Sequence, residues 1–229
     1  MATYNAAEYL AACLESISRQ GFKDIELIIM DGGSTDGTLE IIKSYKDAPC
    51  IYKSEPDTGI YNAFNKAVKL ISGQWCLFLG ADDRLLDGFS HVARHLINPS
   101  TLYYGDYRIK GIRSGEKYSN YQMAKKTYCH QAIFYPANVL KTEAYNENYK
   151  VFADYDLNIK CWGASDLKKE YVPLLVVDYN PDGFSSYTND RLFRSDKPGL
   201  VKKHLGVLVY LRYRLKKFKE SGKRGSKFF

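Results

Sequence analysis

The chain has 229 residues, 45% of them hydrophobic, and a net charge of +7. That length suffices for one well-packed domain, and the composition excludes a disordered or fibrous protein. The charge is unevenly distributed, because residues 191–229 carry a net +11 and residues 1–190 carry a net −4. The basic character therefore belongs to a C-terminal tail, which argues against a nucleic-acid-binding body.

The first half of the chain alternates between helical and strand periodicities. In chain order the predicted elements are a helix over Ala6–Arg19, a strand over Ile25–Met30, a helix over Leu39–Tyr45, a strand over Ile51–Lys53, a helix over Ile60–Ile71 and a strand over Trp75–Leu79. Such alternation indicates an α/β protein with an open, mostly parallel twisted sheet and helices on both faces.

After residue 100 the pattern is less regular. It predicts strands over Leu102–Lys110, Thr127–Tyr135 and Tyr171–Tyr179, and short helices near Ala137–Thr142 and Tyr155–Trp162. We expect this half to be a mixed extension of the same sheet.

The cysteines are odd in number and form no C-x-x-C pair: Cys13, Cys50, Cys76, Cys129 and Cys161. Their spacings match neither a zinc site nor a disulfide framework, which favours a reducing, cytoplasmic setting. No signal peptide is recognisable, and the longest strongly apolar run near the C-terminus, Leu205–Leu211, is too short to span a bilayer.

Acidic residues follow three of the predicted strands. Asp31 follows IELIIM, Asp57 follows the CIYKSE segment, and Asp82 and Asp83 follow WCLFL. In open α/β sheets, ligands bind beyond the carboxyl ends of the strands. Two adjacent acids repel each other in an apolar setting, and a divalent cation such as Mn²⁺ or Mg²⁺ would relieve that repulsion. The alternative is that the pair caps a helix beginning near Leu85.

Several motifs occur in the order and spacing of a known family. They are Thr3–Asn5 before a helix, Met30–Thr38 (MDGGSTDGT), Ser54–Lys66 (SEPDTGIYNAFNK) and Phe78–Asp83 (FLGADD), with weaker matches at Cys129–Gln131 and Ala153–Leu157. Together they resemble the family 2 glycosyltransferases, nucleotide-sugar-dependent enzymes of the GT-A fold that include the bacterial surface-polysaccharide type. The resemblance covers residues 3–83 and extends, more weakly, to about residue 160.

The resemblance implies that the N-terminal motifs bind the nucleotide-sugar donor. Asp31 would accept a hydrogen bond from a uridine-type base, with Thr3 and Tyr4 beside the ring, and Asp57 and Gly59 would lie close to the donor. On residue chemistry alone, Asp31 is equally an acid that forms a turn before a Gly-Gly pair, and Gly59 equally a plain turn-to-helix junction.

The same resemblance implies that Asp82 reaches the ribose and that Asp83 holds a Mn²⁺ or Mg²⁺ ion on the diphosphate, as a Lewis acid. The chain departs from the family at Gly32 and Gly80, where relatives often have an acid, and at Phe64, where an arginine is frequent. Part of the diphosphate recognition is therefore expected from His130 or from a basic side chain of the second half.

Relatives also have a complete first strand before the T-Y-N segment. Here only Met1 and Ala2 precede Thr3, so either the start of the given sequence is late or the first strand is truncated, which would leave a gap in the sheet beside the nucleotide site.

An inverting transfer needs a base that deprotonates the acceptor hydroxyl. By resemblance this base is Asp154, with Asp156 as the runner-up, and the alternative for Asp154 is an N-cap. His130, in the Cys-His-Gln motif, would face the diphosphate or the acceptor, and the alternative is a core histidine with satisfied hydrogen bonds.

The basic tail carries one apolar stripe at helical spacing: Val201, Leu205, Leu208, Leu211, Leu215 and Phe218. Lysines and arginines surround the stripe, a pattern typical of a helix that lies on an anionic membrane surface. The alternative is that the stripe packs on the domain. A nucleic acid is disfavoured as the partner because it would leave the apolar face of the helix without a contact.

These patterns predict an inverting glycosyltransferase that moves a sugar from a UDP-sugar to a lipid-linked saccharide at the cytoplasmic face of the membrane. Residues 1–100 would bind the nucleotide sugar, residues 101–190 the acceptor within the same domain, and residues 191–229 would form the basic tail. The alternatives are a sugar-nucleotide nucleotidyltransferase, although MATYNAAEYL lacks a basic glycine-rich phosphate loop, and an inactive sugar- or lipid-binding module.

Overall fold

A computed structural model describes residues 1–181 and 189–221. The N-terminal part forms a parallel sheet of three short strands, β1 (Ala2–Thr3), β2 (Leu27–Asp31) and β3 (Cys50–Ser54), with β2 in the middle. Thr3 and Ser54 both pair with Asp31. All three strands therefore end at one level, and the loops that follow them start side by side.

Three helices connect this parallel sheet, as predicted: α1 (Ala7–Ser18), α2 (Thr38–Ser44) and α3 (Ile60–Val68). The apolar face of α1 is buried through Leu10, Cys13, Leu14 and Ile17. The observed bounds of α1 and α2 lie within one residue of the predicted ones, because the local apolar periodicity is strong.

The second part forms a mixed sheet of β4 (Trp75–Cys76), β5 (Arg84–Leu85), β6 (Thr101–Ile109), β7 (Ile112–Ser114), β8 (Ile133–Pro136) and β9 (Lys168–Tyr179). Its order is β4-β8-β6-β9-β5, with β7 paired to β6, and its one parallel pair is β6 with β9. A single parallel bridge between Ala2 and Gly80 joins the two sheets.

Two predictions about the opening of the second part are wrong. The predicted parallel strand Trp75–Leu79 is regular only over Trp75–Cys76, where it runs antiparallel to β8, and the chain then passes between the sheets to the bridge at Gly80. No helix begins near Leu85, because Arg84–Leu85 pairs with β9 and the next helix, α4, spans Gly88–Ala93. Asp82 and Asp83 therefore cap no helix.

The remaining helical elements are α5 (Asn120–Lys125), a 3₁₀ turn (His130–Ala132), α6 (Ala137–Thr142), α7 (Ala153–Gly163), α8 (Arg191–Leu200), a π-helical turn (Val201–Leu205) and α9 (Val207–Ser221). Helix α7 is the central one, since it contacts α5, α8 and the π-helical turn. A Cβ added at Gly163 would lie 2.1 Å from the carbonyl oxygen of His204. The end of α7 and the π-helical turn thus meet backbone to backbone.

The first strand is short, as expected, and its start is buried. The Met1 amino group donates to the carbonyl of Ile28 at 2.7 Å, and burial lowers the pKa of this amine. Between β2 and residues 74–79 lies a cavity of about 760 Å³, lined largely by apolar side chains that include Met1, Ile28 and Leu77.

The apolar stripe of the tail is divided between the core and the surface. Val201 and Leu205 are buried against the domain, whereas Leu208, Leu211, Leu215 and Phe218 on α9 are between 51% and 83% exposed. The opposite face of α9 is anchored on α5, where Tyr213 is buried and the Arg212 guanidinium lies 3.8 Å from the ring centre of Tyr121. Residues 222–229 of the predicted tail lie outside the described residues.

The described helices include none that is both long and apolar enough to cross a membrane.

Candidate active site

Asp31 organises the ends of the three parallel strands. Its carboxylate accepts hydrogen bonds from the hydroxyls of Thr3, Ser34 and Ser54 and from the backbone amides of Gly33 and Ser34. Burial alone would raise the pKa of Asp31, but the hydrogen bonds from Ser34, Ser54 and Thr3 outweigh it and lower that pKa. An ionised, 2% exposed carboxylate thus ties β1, β3 and the loop after β2 together, and its contact with a nucleotide base stays a prediction.

Tyr4 and Asp57, which are predicted to bind the nucleotide-sugar donor, lie beside Gly32. A Cβ at this position would lie 2.9 Å from Asp57 Oδ2 and 3.3 Å from Tyr4 Cδ2, so the absence of a side chain lets both approach. Tyr4 is 69% exposed, which leaves its ring free to stack on a ligand. Gly59 adopts φ +132° and donates to Asp57 Oδ1 at 2.8 Å, so this glycine is required by its backbone conformation.

Gly80 makes room for the acid pair in the same way. A Cβ there would lie 2.7 Å from Asp83 Oδ2 and 2.9 Å from Asp82 Oδ1, so both carboxylates fold back over the glycine. Any acid at position 80 would collide with the pair. The two glycines where relatives often have acids are thus part of how this site is built.

Asp83 is fully buried and held by three donors. The amide of Asn180 donates to Oδ1 at 3.0 Å, and the amide of Gly80 and the side chain of Gln131 donate to Oδ2 at 2.9 and 3.1 Å. Burial and then the neighbouring Asp82 carboxylate raise the pKa of Asp83, although these hydrogen bonds oppose the rise. Burial and the adjacent carboxylate thus both favour the protonated form of Asp83, in the direction predicted for the pair.

A divalent cation fits the chemistry of this pair. It would offset the burial and repulsion of two adjacent carboxylates, and hard cations accept one or two carboxylates while leaving other positions to phosphate and water. Asp82 is the member on the cavity wall, with Asn180 Nδ2 donating to its Oδ2 at 3.2 Å. Among the described residues no three His, Cys, Asp or Glu side chains form a metal cluster, so an ion would rely on ligands beyond the pair.

Two basic side chains lie beside Asp82. A cavity of about 270 Å³ is lined by Asp82, Arg84, Lys110 and the end of β9. Lys110 itself lies at the tip of the β6–β7 hairpin with φ +49°. Neither residue was singled out from the sequence, although Arg84 directly follows the FLGADD motif, and basic groups for a diphosphate were expected from other parts of the chain.

His130 contacts Asp154. The ring Nδ1 of His130 lies 3.0 Å from Asp154 Oδ2, and the hydroxyl of Tyr61 lies 3.2 Å from Asp154 Oδ1. Asp154 stands in the first turn of α7, where the helix dipole favours a negative charge. It accepts no N-cap hydrogen bond from this helix, which begins after Phe152.

The runner-up base, Asp156, points elsewhere. Residues two apart on a helix do not share a face. Asp156 is 2% exposed and forms an ion pair with Lys160 at 3.1 Å. Of the two candidate bases, Asp154 is the one that contacts the turn from which Gln131 reaches Asp83.

The 3₁₀ turn connects the two groups of acids. Its adjacent residues His130 and Gln131 contact Asp154 and Asp83, respectively. Gln131 was part of a noted motif, but Asn180, which contacts both Asp82 and Asp83, was missed. Its one signal was its position directly after the apolar strand that ends at Tyr179.

Comparison with known proteins gives this site its class. The profile of Glycosyl transferase family 2 matches residues 1–159. A PGL/p-HBAD biosynthesis glycosyltransferase of Mycobacterium bovis is 38% identical over 223 residues, which cover 91% of this chain and 86% of that protein. A chondroitin synthase of Escherichia coli is 31% identical over 175 residues, which cover 69% of this chain and 25% of that protein.

Solved structures share the fold. S. aureus TarS 1–349 in complex with UDP matches with a TM-score of 0.67 and 18% identity, over 97% of this chain and 74% of that one. A longer TarS structure matches with a TM-score of 0.69, and this chain spans 45% of it. The fold is thus the α/β GT-A fold. The chain belongs to Glycosyl transferase family 2 and is a glycosyltransferase.

Proposed function

We propose that this glycosyltransferase transfers a sugar from a UDP-sugar to a saccharide hydroxyl with inversion, using Asp154 as the base. The observation that supports the proposal is the turn at His130 and Gln131, whose adjacent side chains contact Asp154 and Asp83, respectively. A donor diphosphate at the acid pair would place the anomeric carbon between the leaving group and the base. In-line attack from the opposite face is the geometry that inversion requires.

The departing UDP would carry negative charge, which positive groups in the site would stabilise. A Mn²⁺ or Mg²⁺ ion at Asp82 and Asp83 would supply Lewis-acid stabilisation of the departing UDP. Arg84 and Lys110, on the wall of the same cavity as Asp82, would neutralise further phosphate charge. The choice of uridine is supported by the UDP held in TarS, whose fold this chain shares.

Release of UDP from a panel of nucleotide sugars tests the donor half of this proposal. We expect slow, metal-dependent UDP release from one or a few UDP-sugars without acceptor, lost in EDTA and in Asp83→Asn. The control is Asp87→Asn, an exposed acid in the same segment, which should behave as the wild type. Absence of UDP release across the panel, or pyrophosphate release from a nucleoside triphosphate and a sugar phosphate, would contradict it.

We further propose that α9 places the enzyme on an anionic membrane, so that the acceptor is a lipid-linked saccharide. The four apolar side chains of the outer α9 face, Leu208, Leu211, Leu215 and Phe218, are exposed while the other face is anchored on α5. Exposed Arg214, Lys216 and Lys219 surround this face. Apolar insertion and attraction to anionic headgroups would act together there.

Liposome flotation tests the membrane proposal. The triple variant Leu208→Gln, Leu215→Gln, Phe218→Gln should partition at least about tenfold less onto vesicles of mixed phosphatidylcholine and phosphatidylglycerol, because each lost insertion removes apolar burial. High salt should weaken wild-type binding.

The matched control for flotation is Ile97→Gln, Ile112→Gln, which removes two apolar side chains that are 78% and 70% exposed elsewhere. This control should float like the wild type. Equal flotation of the α9 variant and the control would show that α9 does not bind the bilayer.

A further inference from the structure

His130 and Asp154 are both largely enclosed by the protein. The side chains of His130 and Asp154 are only 17% and 13% exposed. The ring of Phe64 packs edge-on against the imidazole, with 6.3 Å between ring centres. The imidazole therefore has little freedom, and its Nδ1 is directed at Asp154 Oδ2 over 3.0 Å.

The proton between these two groups can be assigned from the chemistry. An ionised carboxylate only accepts hydrogen bonds, so His130 Nδ1 must carry the proton in this contact. Among the described residues, the hydrogen bond found for the His130 ring is the one between Nδ1 and Asp154 Oδ2. The Nδ1–H group of His130 thus donates its hydrogen bond to the carboxylate of Asp154.

The other side of Asp154 is closed by helix α3. The Tyr61 hydroxyl, which also contacts the carbonyl of Val151, lies 3.2 Å from Asp154 Oδ1. Tyr61 is itself buried, at 7% exposure. The carboxylate is therefore fixed between one residue of the donor-side helix α3 and one of the 3₁₀ turn.

We propose that His130 is a positioning residue for Asp154, which holds Oδ2 through Nδ1–H so that the carboxylate meets the acceptor hydroxyl in one orientation. The inference rests on the proposed function, in which Asp154 is the base. It assigns His130 a role besides the expectation that it faces the diphosphate or the acceptor, because the contact observed is with Asp154. A base held by such a partner has less freedom to rotate away from the reacting hydroxyl.

Two substitutions distinguish a positioning role of His130 from a direct role in the chemistry and from a role in donor binding. His130→Asn places an amide Nδ2 close to where the imidazole Nδ1 stands, so the hydrogen bond to Asp154 can be kept while the ring chemistry is lost. His130→Ala removes both. We expect His130→Ala to lower kcat about 10- to 100-fold with the donor KM unchanged, and His130→Asn to retain kcat within about threefold of the wild type.

The control variant is His91→Ala, an exposed histidine on α4 that should have wild-type kinetics. UDP binding by calorimetry and thermal melting show whether His130→Ala is folded. If His130→Asn is as inactive as His130→Ala, the imidazole itself takes part in the chemistry and the positioning role is wrong. If His130→Ala raises the donor KM instead, His130 binds the donor and the inference is likewise wrong.

An error in the proposed function itself, as opposed to the role of His130, would be seen in the Asp154→Asn variant. If Asp154→Asn keeps full turnover, the base assignment in the proposed function fails, whatever the two His130 variants do.

Discussion

Asp154→Asn should lower turnover by about 10³-fold while leaving UDP binding at its wild-type affinity. General base catalysis contributes roughly 10²- to 10⁴-fold, and an amide cannot take the proton of the acceptor hydroxyl. The substitution keeps the size of the side chain and an oxygen that can accept from His130 Nδ1, now 3.0 Å from Asp154 Oδ2. Initial rates with acceptor, together with calorimetric UDP binding, measure the two effects separately.

Asp156→Asn is the matched control, because it makes the same chemical change two residues further along the same helix. Asp156 forms its ion pair with Lys160 on another face of α7, so its turnover should stay within about twofold of the wild type at a temperature where both proteins are folded. The reverse pattern, with Asp156→Asn inactive and Asp154→Asn active, would transfer the base role to the runner-up.

Lys197→Met should raise the free energy of unfolding by about 1–3 kcal/mol at pH 7. Lys197 is 1% exposed on α8, with its Nζ 4.5 Å from the ring centre of Tyr155 and 3.4 Å from the carbonyl oxygen of Lys125. Burial and then repulsion from Lys217 lower the pKa of Lys197 to about 7. An apolar chain of similar length avoids this burial of charge, at the cost of a cation–π contact of about 0.5–2 kcal/mol.

The effect should depend on pH. In the unfolded chain a lysine titrates near pH 10.4, so between about pH 7 and 10 the unfolded state binds more protons than the folded state at Lys197. Wild-type stability therefore gains up to about 1.4 kcal/mol for each pH unit across this window from Lys197 alone. The advantage of Lys197→Met should be largest at or below pH 7 and shrink as the pH rises to 9.

Urea unfolding at pH 6, 7, 8 and 9 measures this difference. The control is Lys203→Met, an exposed lysine of the π-helical turn, whose stability should stay within about 0.5 kcal/mol of the wild type at every pH. A Lys197→Met variant that is less stable than the wild type at pH 7, with the same pH slope, would show that the contacts of Lys197 outweigh its burial.

The parallel half of the fold could be predicted from the sequence because its signals are local. Amphipathic periodicity set the limits of α1 and α2, and an acid follows each of the two strands predicted over Ile25–Met30 and Ile51–Lys53. Each of these features depends on residues within a few positions of one another.

The second half could not be predicted to the same depth because its contacts are long-range. Arg84 pairs with Asp178, and Asn180 donates to Asp82 and Asp83, across more than 90 positions of the chain. No local pattern at Arg84–Leu85 distinguishes a two-residue strand from the start of a helix. The tail shows the same limit, since one regular stripe contains both buried Val201 and exposed Leu208.

The backbone contact between Gly163 and His204 joins α7 to the tail. Asp154 and Gly163 stand at opposite ends of α7, about 14 Å apart along its axis. If α9 lies on a bilayer as proposed, α7 would hold Asp154 at a constant distance from the membrane surface.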